Sequence, residues 1–258
     1  MQTYSVRSDK LTAPIRIAAV ADLHGTVYGR KQTELLGLID AYAPDIVVFL
    51  GDIVDDKIPA AGAEILFRAL GEKYPCYYVS GNNEYKSGRI EAIKLMIASC
   101  GVLVLSGTFA AVKVKGQDLM IFGVDDPIVF GSENVRKSIP AGWLRQFEAC
   151  VAENGRLQHA QAGMPPYSVL LSHRPELFAQ YGSSGFDLVI AGHAHGGQVR
   201  IPGLVNGLFA PGQGVLPRYA GGVYALGETA MVVSRGLCRN HIPRIYNPPE
   251  LVMIDIKA

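Results

Sequence analysis

Ile15-Arg16-Ile17-Ala18-Ala19-Val20-Ala21-Asp22-Leu23-His24 opens on an apolar run and closes on a carboxylate and an imidazole. Residues 15–21 are too few for a helix and read as a buried strand. The segment 31–42 then keeps Leu35, Leu38, Ile39 and Tyr42 on one helical face, Pro44 stops it, and 45–50 is the next apolar run. Strand, helix and strand in that order predict a crossover in a mainly parallel sheet, hence an α/β fold.

The alternation continues with a helix over 60–73, a strand over 76–80 and a helix over 89–99 on which Ile90, Ile93 and Ile97 share a face. Strands 109–114 and 118–124 flank Lys115-Gly116-Gln117, a turn that predicts an antiparallel hairpin, so the sheet need not be purely parallel. A helix is expected over 143–151, a surface loop over 153–166, and strands over 167–172 and 186–191. The Gly- and Pro-rich stretch 196–227 reads as loops, with closing strands at 229–234 and 251–256. No internal repeat or low-complexity segment appears. The loop at 153–166 could pass for a linker, but the chemistry below draws on both sides of it, so residues 1–258 are expected to form a single domain.

The 258 residues, 49% of them hydrophobic, can bury a sizeable core. A formal charge of +1 without a block of Lys or Arg lacks the footprint of a nucleic-acid binder. Cys76, Cys100, Cys150 and Cys238 are far apart and form no C-x-x-C pair, which speaks against zinc knuckles and a disulfide framework. The first residues lack a signal-peptide pattern and no apolar run could span a bilayer, so a cytoplasmic or peripheral membrane protein without a transmembrane segment is expected. A removed N-terminal anchor would leave no trace in the letters.

The strand ends carry the chemistry. They read Asp22-Leu23-His24, Gly51-Asp52 with Asp55, Gly81-Asn82-Asn83-Glu84, Ser172-His173 and Gly192-His193-Ala194-His195. In α/β sheets the crevice at the carboxyl ends of strands binds ligands, and glycine lets the chain turn sharply there. Imidazole, carboxylate and amide oxygen together suit Mn, Fe, Co or Zn. Two such ions about 3.5–4 Å apart can share one carboxylate and one water, lowering the water's pKa toward roughly 7. Taken singly, each motif has a bland reading: Asp22 as a helix cap, Asp52 and Asp55 as turn residues, Asn82 as a left-handed turn residue, His173 as a core histidine. Their occurrence in one order at successive strand ends favours a metal site.

The ordered set D-x-H, G-D-x-x-D, G-N-x-[DE], a lone His and G-H-x-H resembles the calcineurin-like metallophosphoesterase superfamily. Ser172-His173-Arg174-Pro175-Glu176 and Gly192-His193-Ala194-His195-Gly196-Gly197-Gln198 are similar to its YkuE-type branch. The resemblance covers 4–256 and implies a four-layer α/β/β/α sandwich with two mixed β-sheets. It assigns Asp22, His24 and His195 to one divalent ion, Asn82, His173 and His193 to another, and Asp52 to both, with manganese expected and zinc, iron or cobalt as alternatives. Asp55 and Glu84 become residues that orient ligands. The implied activity is hydrolysis of a phosphodiester or pyrophosphate, with a phosphorylated small molecule or a lipid-linked substrate, as in UDP-2,3-diacylglucosamine pyrophosphatases. Neither a nucleic-acid partner nor a particular oligomeric state is implied.

Asn83 departs from the pattern, because the superfamily has His after the motif's Asn. An amide can donate a hydrogen bond but cannot supply a proton, which removes one general-acid contribution of about 10²–10⁴-fold. A natural variant, an engineered substitution and decay toward a non-catalytic metal-binding scaffold, as in the phosphoesterase-like retromer subunit, are all consistent with it. Arg200, Arg218, Arg235, Arg239 and Arg244 could grip phosphate but are individually expected at the solvated surface, and Tyr85 could stack on a base or simply pack. Asp125-Asp126-Pro127 follows a strand and reads as a turn, with a role in the site as the alternative, and His159 and His241 show no partner pattern.

Overall fold

Side chains along a strand alternate between two faces, and in this chain both faces of the central strands are apolar. Such strands are stable only between two further layers. A computed structural model, which describes residues 1–160, 164–239 and 243–258, shows how the layers form.

One six-stranded sheet has the order β1 (Gln2–Arg7), β14 (Val252–Lys257), β2 (Ile15–Val20), β3 (Ile46–Phe49), β4 (Cys76–Tyr78), β5 (Leu103–Val104). The other runs β12 (Gly222–Leu226), β13 (Thr229–Val233), β9 (Leu188–Ala191), β8 (Tyr167–Leu171), β7 (Gln117–Gly123), β6 (Thr108–Val114). Both are mixed: β14 is antiparallel to β2, and β6–β7 and β12–β13 are antiparallel pairs within otherwise parallel sheets. A small hairpin, β10 (Phe209–Ala210) with β11 (Gly214–Val215), stands apart.

Ile15, Ile17, Ala19, Ile46 and Val48 of the first sheet meet Val169, Leu171, Leu188 and Ile190 of the second in one apolar layer. Ala18, Val20, Val47 and Phe49 face outward onto α1 (Thr33–Tyr42), α2 (Ala61–Gly71) and α4 (Ile90–Ser99). Phe122, Leu170 and Val189 face the other way, onto α5 (Ala141–Ala160) and α6 (Phe178–Tyr181). The result is the expected four-layer α/β/β/α sandwich. A short helix, α3 (Asn82–Lys86), begins directly at a site motif. Among the described residues no helix is long and apolar enough to cross a membrane.

Three expectations are corrected. The helix expected to end at 151 continues to Ala160, so the loop expected over 153–166 is helical in its first half, and residues 161–163 lie outside the described residues. Polar composition hid the helix, yet Asn154 is buried and donates to the Gly185 carbonyl at 3.0 Å, while Gln158 one turn later donates to the Pro166 carbonyl at 3.0 Å. β1 escaped notice because it alternates at the sheet edge, where only every second residue is part-buried. β12 and the β10–β11 hairpin occupy part of the stretch expected to be loops.

Candidate metal centre

Parallel strands within each sheet deliver their carboxyl ends to one edge. Asp22 follows β2, Asp52 follows β3, Asn82 follows β4, His173 follows β8, and His193 and His195 follow β9. Backbone hydrogen bonds then tie the loops together: Asp22 N–H to the Gly51 carbonyl at 3.1 Å, His24 N–H to the Asp52 carbonyl at 2.9 Å, and Gly192 N–H to the His173 carbonyl at 3.2 Å. The His193 N–H donates to both carboxylate oxygens of Asp22 at 3.1 Å, bridging the two sheets.

Asp22, His24, Asp52, His193 and His195 all have φ between 48° and 66°, a left-handed conformation that L residues adopt only under constraint. Gly81 is required for a different reason. A Cβ there would lie 2.3 Å from Oδ1 of Asp52, so a side chain at this position would displace that carboxylate.

Side-chain donors gather in three overlapping groups, the ligand atoms of each within 4.8 Å of one another: Asp22, His24, Asp52 and His195; Asp52, His173 and His193; and His24, His195 and Cys238. Asp52 joins the Asp22 group to the His173 group. Its Oδ2 is 3.6 Å from His24 Nε2 and 3.4 Å from His173 Nε2, and Asp22 Oδ1 is 3.5 Å from His195 Nε2. Two buried atoms, His24 Nε2 and the Asn82 Oδ1, have no hydrogen-bond partner among the described residues. A buried acceptor without a donor is costly and needs a reason, and a cation supplies one. The residues therefore fit divalent metal ions.

The remaining ring nitrogens are held from outside. His24 Nδ1 meets Asp55 Oδ2 at 3.0 Å and His173 Nδ1 meets the Leu50 carbonyl at 2.7 Å, so in the neutral ring each acceptor draws the proton outward and leaves the lone pair on Nε2. His195 Nδ1 contacts Cys238 Sγ at 3.0 Å. His193 is different: its Nε2 meets Arg174, a donor only, at 2.8 Å, so the neutral ring carries its proton on Nδ1, 3.1 Å from His173 Nε2. Ligation through that Nδ1 requires the Arg174 contact to yield.

Burial pushes the Asp52 carboxyl up, but His173 and His24 outweigh it and hold it well below the usual carboxylate range. Burial raises Asp22 to about 6 against the pull of His173. Burial lowers His24 and His173, yet Asp55 and Asp52 lift the first to about 9, and Asp52 lifts the second to about 10. The carboxylates thus demand positive charge, which protonated rings provide when no cation does.

Glu84 is fully buried and accepts N–H groups from Asp52, Ile53, Val54 and Gly81 at 2.8–3.1 Å, fixing the loop that carries Asp52. Asn83 turns toward the same carboxylate, donating from its backbone to Asp52 Oδ1 and from its amide to Oδ2. Tyr85 points away, into a cleft of about 620 Å³ with Lys86, Ile90, Ile128 and Glu133.

Several neighbours were missed or undervalued from sequence. Asp126, expected to be a turn residue, is fully buried and grips Arg174 through two contacts of 2.5 and 3.0 Å. The signal was available, since Asp125 and Asp126 follow β7 as the other acids follow their strands. Arg244 donates to Cys238 Sγ at 2.9 Å, and Arg235 pairs with Glu250. Arg239 stacks on Tyr28 and Arg218 on Tyr219, and apart from the Arg244 contact on Cys238 none of these guanidiniums reaches the clustered side chains by a described hydrogen bond. His241 lies outside the described residues.

A family model described as calcineurin-like phosphoesterase matches residues 15–197. The chain is 26% identical over 254 residues to the phosphodiesterase YaeI of Escherichia coli (strain K12), covering 95% of this chain and 83% of that protein. It is also 26% identical over 225 residues to the metallophosphoesterase YkuE of Bacillus subtilis (strain 168), covering 85% of this chain and 70% of that one. Among solved structures, a 5'-nucleotidase precursor from Thermus thermophilus superposes with a TM-score of 0.57 at 16% identity, covering 86% of this chain and 49% of the other. The protein TT1561 of the same organism gives 0.54 at 15% identity, covering 86% and 89%. At such identities the structures show a shared fold alone.

Proposed function

The chain belongs to the calcineurin-like phosphoesterase family, and from that premise we propose that residues 1–258 act as one unit that hydrolyses a phosphodiester or a pyrophosphate with two divalent metal ions. The carrying observation is Asp52, the one side chain shared by the group that holds Asp22, His24 and His195 and the group that holds His173 and His193. Asp22, His24 and His195 would hold one ion, Asn82, His173 and His193 the other, and Asp52 both. When bound, the ions supply Lewis acidity and a water acidic enough to attack phosphorus near neutral pH.

The chain's own residues do the rest. Asp55 and the Leu50 carbonyl hold His24 and His173 in the tautomer with an open Nε2. Glu84 sets the Asp52 loop through four backbone N–H groups, and Asn83 steadies the Asp52 carboxylate. No proton donor occupies the Asn83 position, so departure of the leaving group depends on its own acidity or on water. Oxygen and nitrogen donors without an obligatory thiolate suit manganese, with zinc, iron and cobalt as competitors.

Asn83 also favours a second reading, a metal-binding scaffold that does not turn over. Metal analysis followed by assay of bis(p-nitrophenyl) phosphate with added manganese separates the two. Two ions per chain and manganese-dependent turnover lost in Asp52→Asn support the hydrolase. Bound metal without turnover, even in Asn83→His, establishes the scaffold instead.

A further inference from the structure

Between Asp187 and Glu250 the chain carries a single acid, Glu228, against five arginines at 200, 218, 235, 239 and 244, a formal balance of +4 in a protein whose total is +1. The same stretch holds a concentration of exposed apolar side chains. Leu204 is 79% exposed, Tyr246 74%, Val215 71%, Leu216 64%, Phe209 50% and Ile201 48%. Isolated exposed apolar residues need no explanation, but a contiguous set does.

These residues are contiguous through the backbone. Phe209 and Val215 are directly paired across the β10–β11 hairpin, so their side chains share a face, and Leu216 N–H donates to the Leu208 carbonyl at 2.8 Å. Leu208 N–H in turn reaches the Val199 carbonyl at 2.8 Å, Val199 bridges Ile245 beside Tyr246, and Ile201 pairs with Val205 around the Leu204 turn. The plate is anchored at the metal centre: Leu208 N–H also donates to the Gly197 carbonyl at 2.9 Å, and Asn247 Nδ2 donates to the His195 carbonyl at 2.7 Å.

Cations flank the plate. Arg136 donates to the Gln213 carbonyl at 2.6 Å at the hairpin turn, and Arg136 and Lys137 line a cavity of about 520 Å³ with Phe209. Arg218 is exposed two residues after the exposed Leu216. The nearby acids are already engaged, Glu176 with buried Arg174 at 3.5 Å and Glu133 with Lys86 at 3.2 Å.

We propose that this plate is a membrane-docking surface that seats the protein on an anionic bilayer, its apolar side chains entering the interface and Arg136, Lys137 and Arg218 meeting lipid phosphates. Protruding apolar side chains within a cationic, acid-poor rim match an anionic lipid interface in both polarity and charge. Docking would bring the metal centre to the level of the headgroups, and that last step alone rests on the hydrolase reading.

The test is co-sedimentation of the full chain with vesicles of phosphatidylcholine alone and of phosphatidylcholine with phosphatidylglycerol. It is run in parallel with hydrolysis of soluble bis(p-nitrophenyl) phosphate and with sedimentation-velocity measurement of size. The triple variant Leu204→Asp, Val215→Asp, Leu216→Asp changes only exposed side chains outside the ligand set. The expected result is binding to the anionic vesicles that drops on the order of ten-fold in the variant, with soluble-substrate turnover unchanged. Docking without turnover of the soluble substrate supports the surface while failing the hydrolase reading. No binding to either vesicle, or equal binding by the variant, overturns the proposal. A dimer that the variant dissolves, with no vesicle binding, assigns the plate to a second copy of the chain instead.

Discussion

The side-chain amide of Asn83 donates to Oδ2 of Asp52 at 2.6 Å, on the carboxylate oxygen that also faces His24 and His173. The only polar side-chain donor at this position is therefore turned inward, onto the shared ligand.

Asn83→His is expected to add a proton donor where none exists. The gain should be about 10²-fold or more for a phosphodiester with an alkoxide leaving group and small for p-nitrophenolate, which leaves unaided. Parallel kcat/KM measurements on the two substrates check this, and equal gains would refute the leaving-group account.

Glu84→Gln replaces a carboxylate that accepts four backbone N–H groups by an amide that must turn a donor toward some of them. Burial, then Asp52, raises this carboxyl to about 7, so it sits in a setting with little solvent to compensate. A loss of about 3 kcal/mol in denaturant unfolding of the metal-free protein is expected, together with weaker metal binding. A change below about 0.5 kcal/mol would show that the loop holds itself.

The Arg174 contact on His193 would give the two proposed ion sites unequal readiness. Calorimetric titration of chelator-treated protein with manganese should resolve two steps differing by about ten-fold or more in Kd, roughly 1.4 kcal/mol. His193→Ala should abolish the weaker step and spare the tighter one. Loss of the tighter step instead would reverse the order of filling.

Asp126 and Arg174 form a buried pair, and removing one partner strands the other. Asp126→Ala is expected to cost about 3–5 kcal/mol, with much of the loss recovered in Asp126→Ala/Arg174→Met. A double-mutant cycle in denaturant that shows simple additivity would mean the pair contributes no coupling.

Burial pushes the thiols of Cys76 and Cys150 from an ordinary 9.0 up to about 12. A group whose folded pKa is raised contributes fully below its unfolded value and loses that contribution as pH climbs toward the folded one. Stability should therefore be flat with respect to these groups up to pH 9 and then fall, by at most about 2 kcal/mol per thiol at pH 10.5. Unfolding curves at pH 8 and 10.5 for the parent and for Cys76→Ala/Cys150→Ala measure the difference, and parallel losses in both proteins would exclude the thiols as the source.

The parts of the fold readable from sequence were those governed by local pattern. Ile15 to Val20 and Ile46 to Phe49 announce strands because both faces are buried, and Leu35 and Ile39 announce a helix because only one is. Asp22, Asp52, His173 and His193 stood out because each follows such a run. The second half of α5 stayed hidden because its buried contacts are amides, Asn154 and Gln158, whose partners lie on distant segments. Cys238 was invisible as a site neighbour for a related reason, since nothing near it in sequence says that it will lean on His195, and although Arg174 stands beside His173 in a quoted motif, its contact on His193 was not legible.

Five of the clustered side chains sit on backbone that prefers glycine or asparagine, each at an expense of the order of 1 kcal/mol or more. The chain therefore carries tension at this cluster, which ion binding would offset. A descendant released from chemistry could relax it by single substitutions at Asp22, His24, Asp52, His193 or His195, and it would emerge as the sturdier protein. Fragility at these five points is the thermodynamic trace of selection for activity, and its disappearance would mark a lineage that had retired from it.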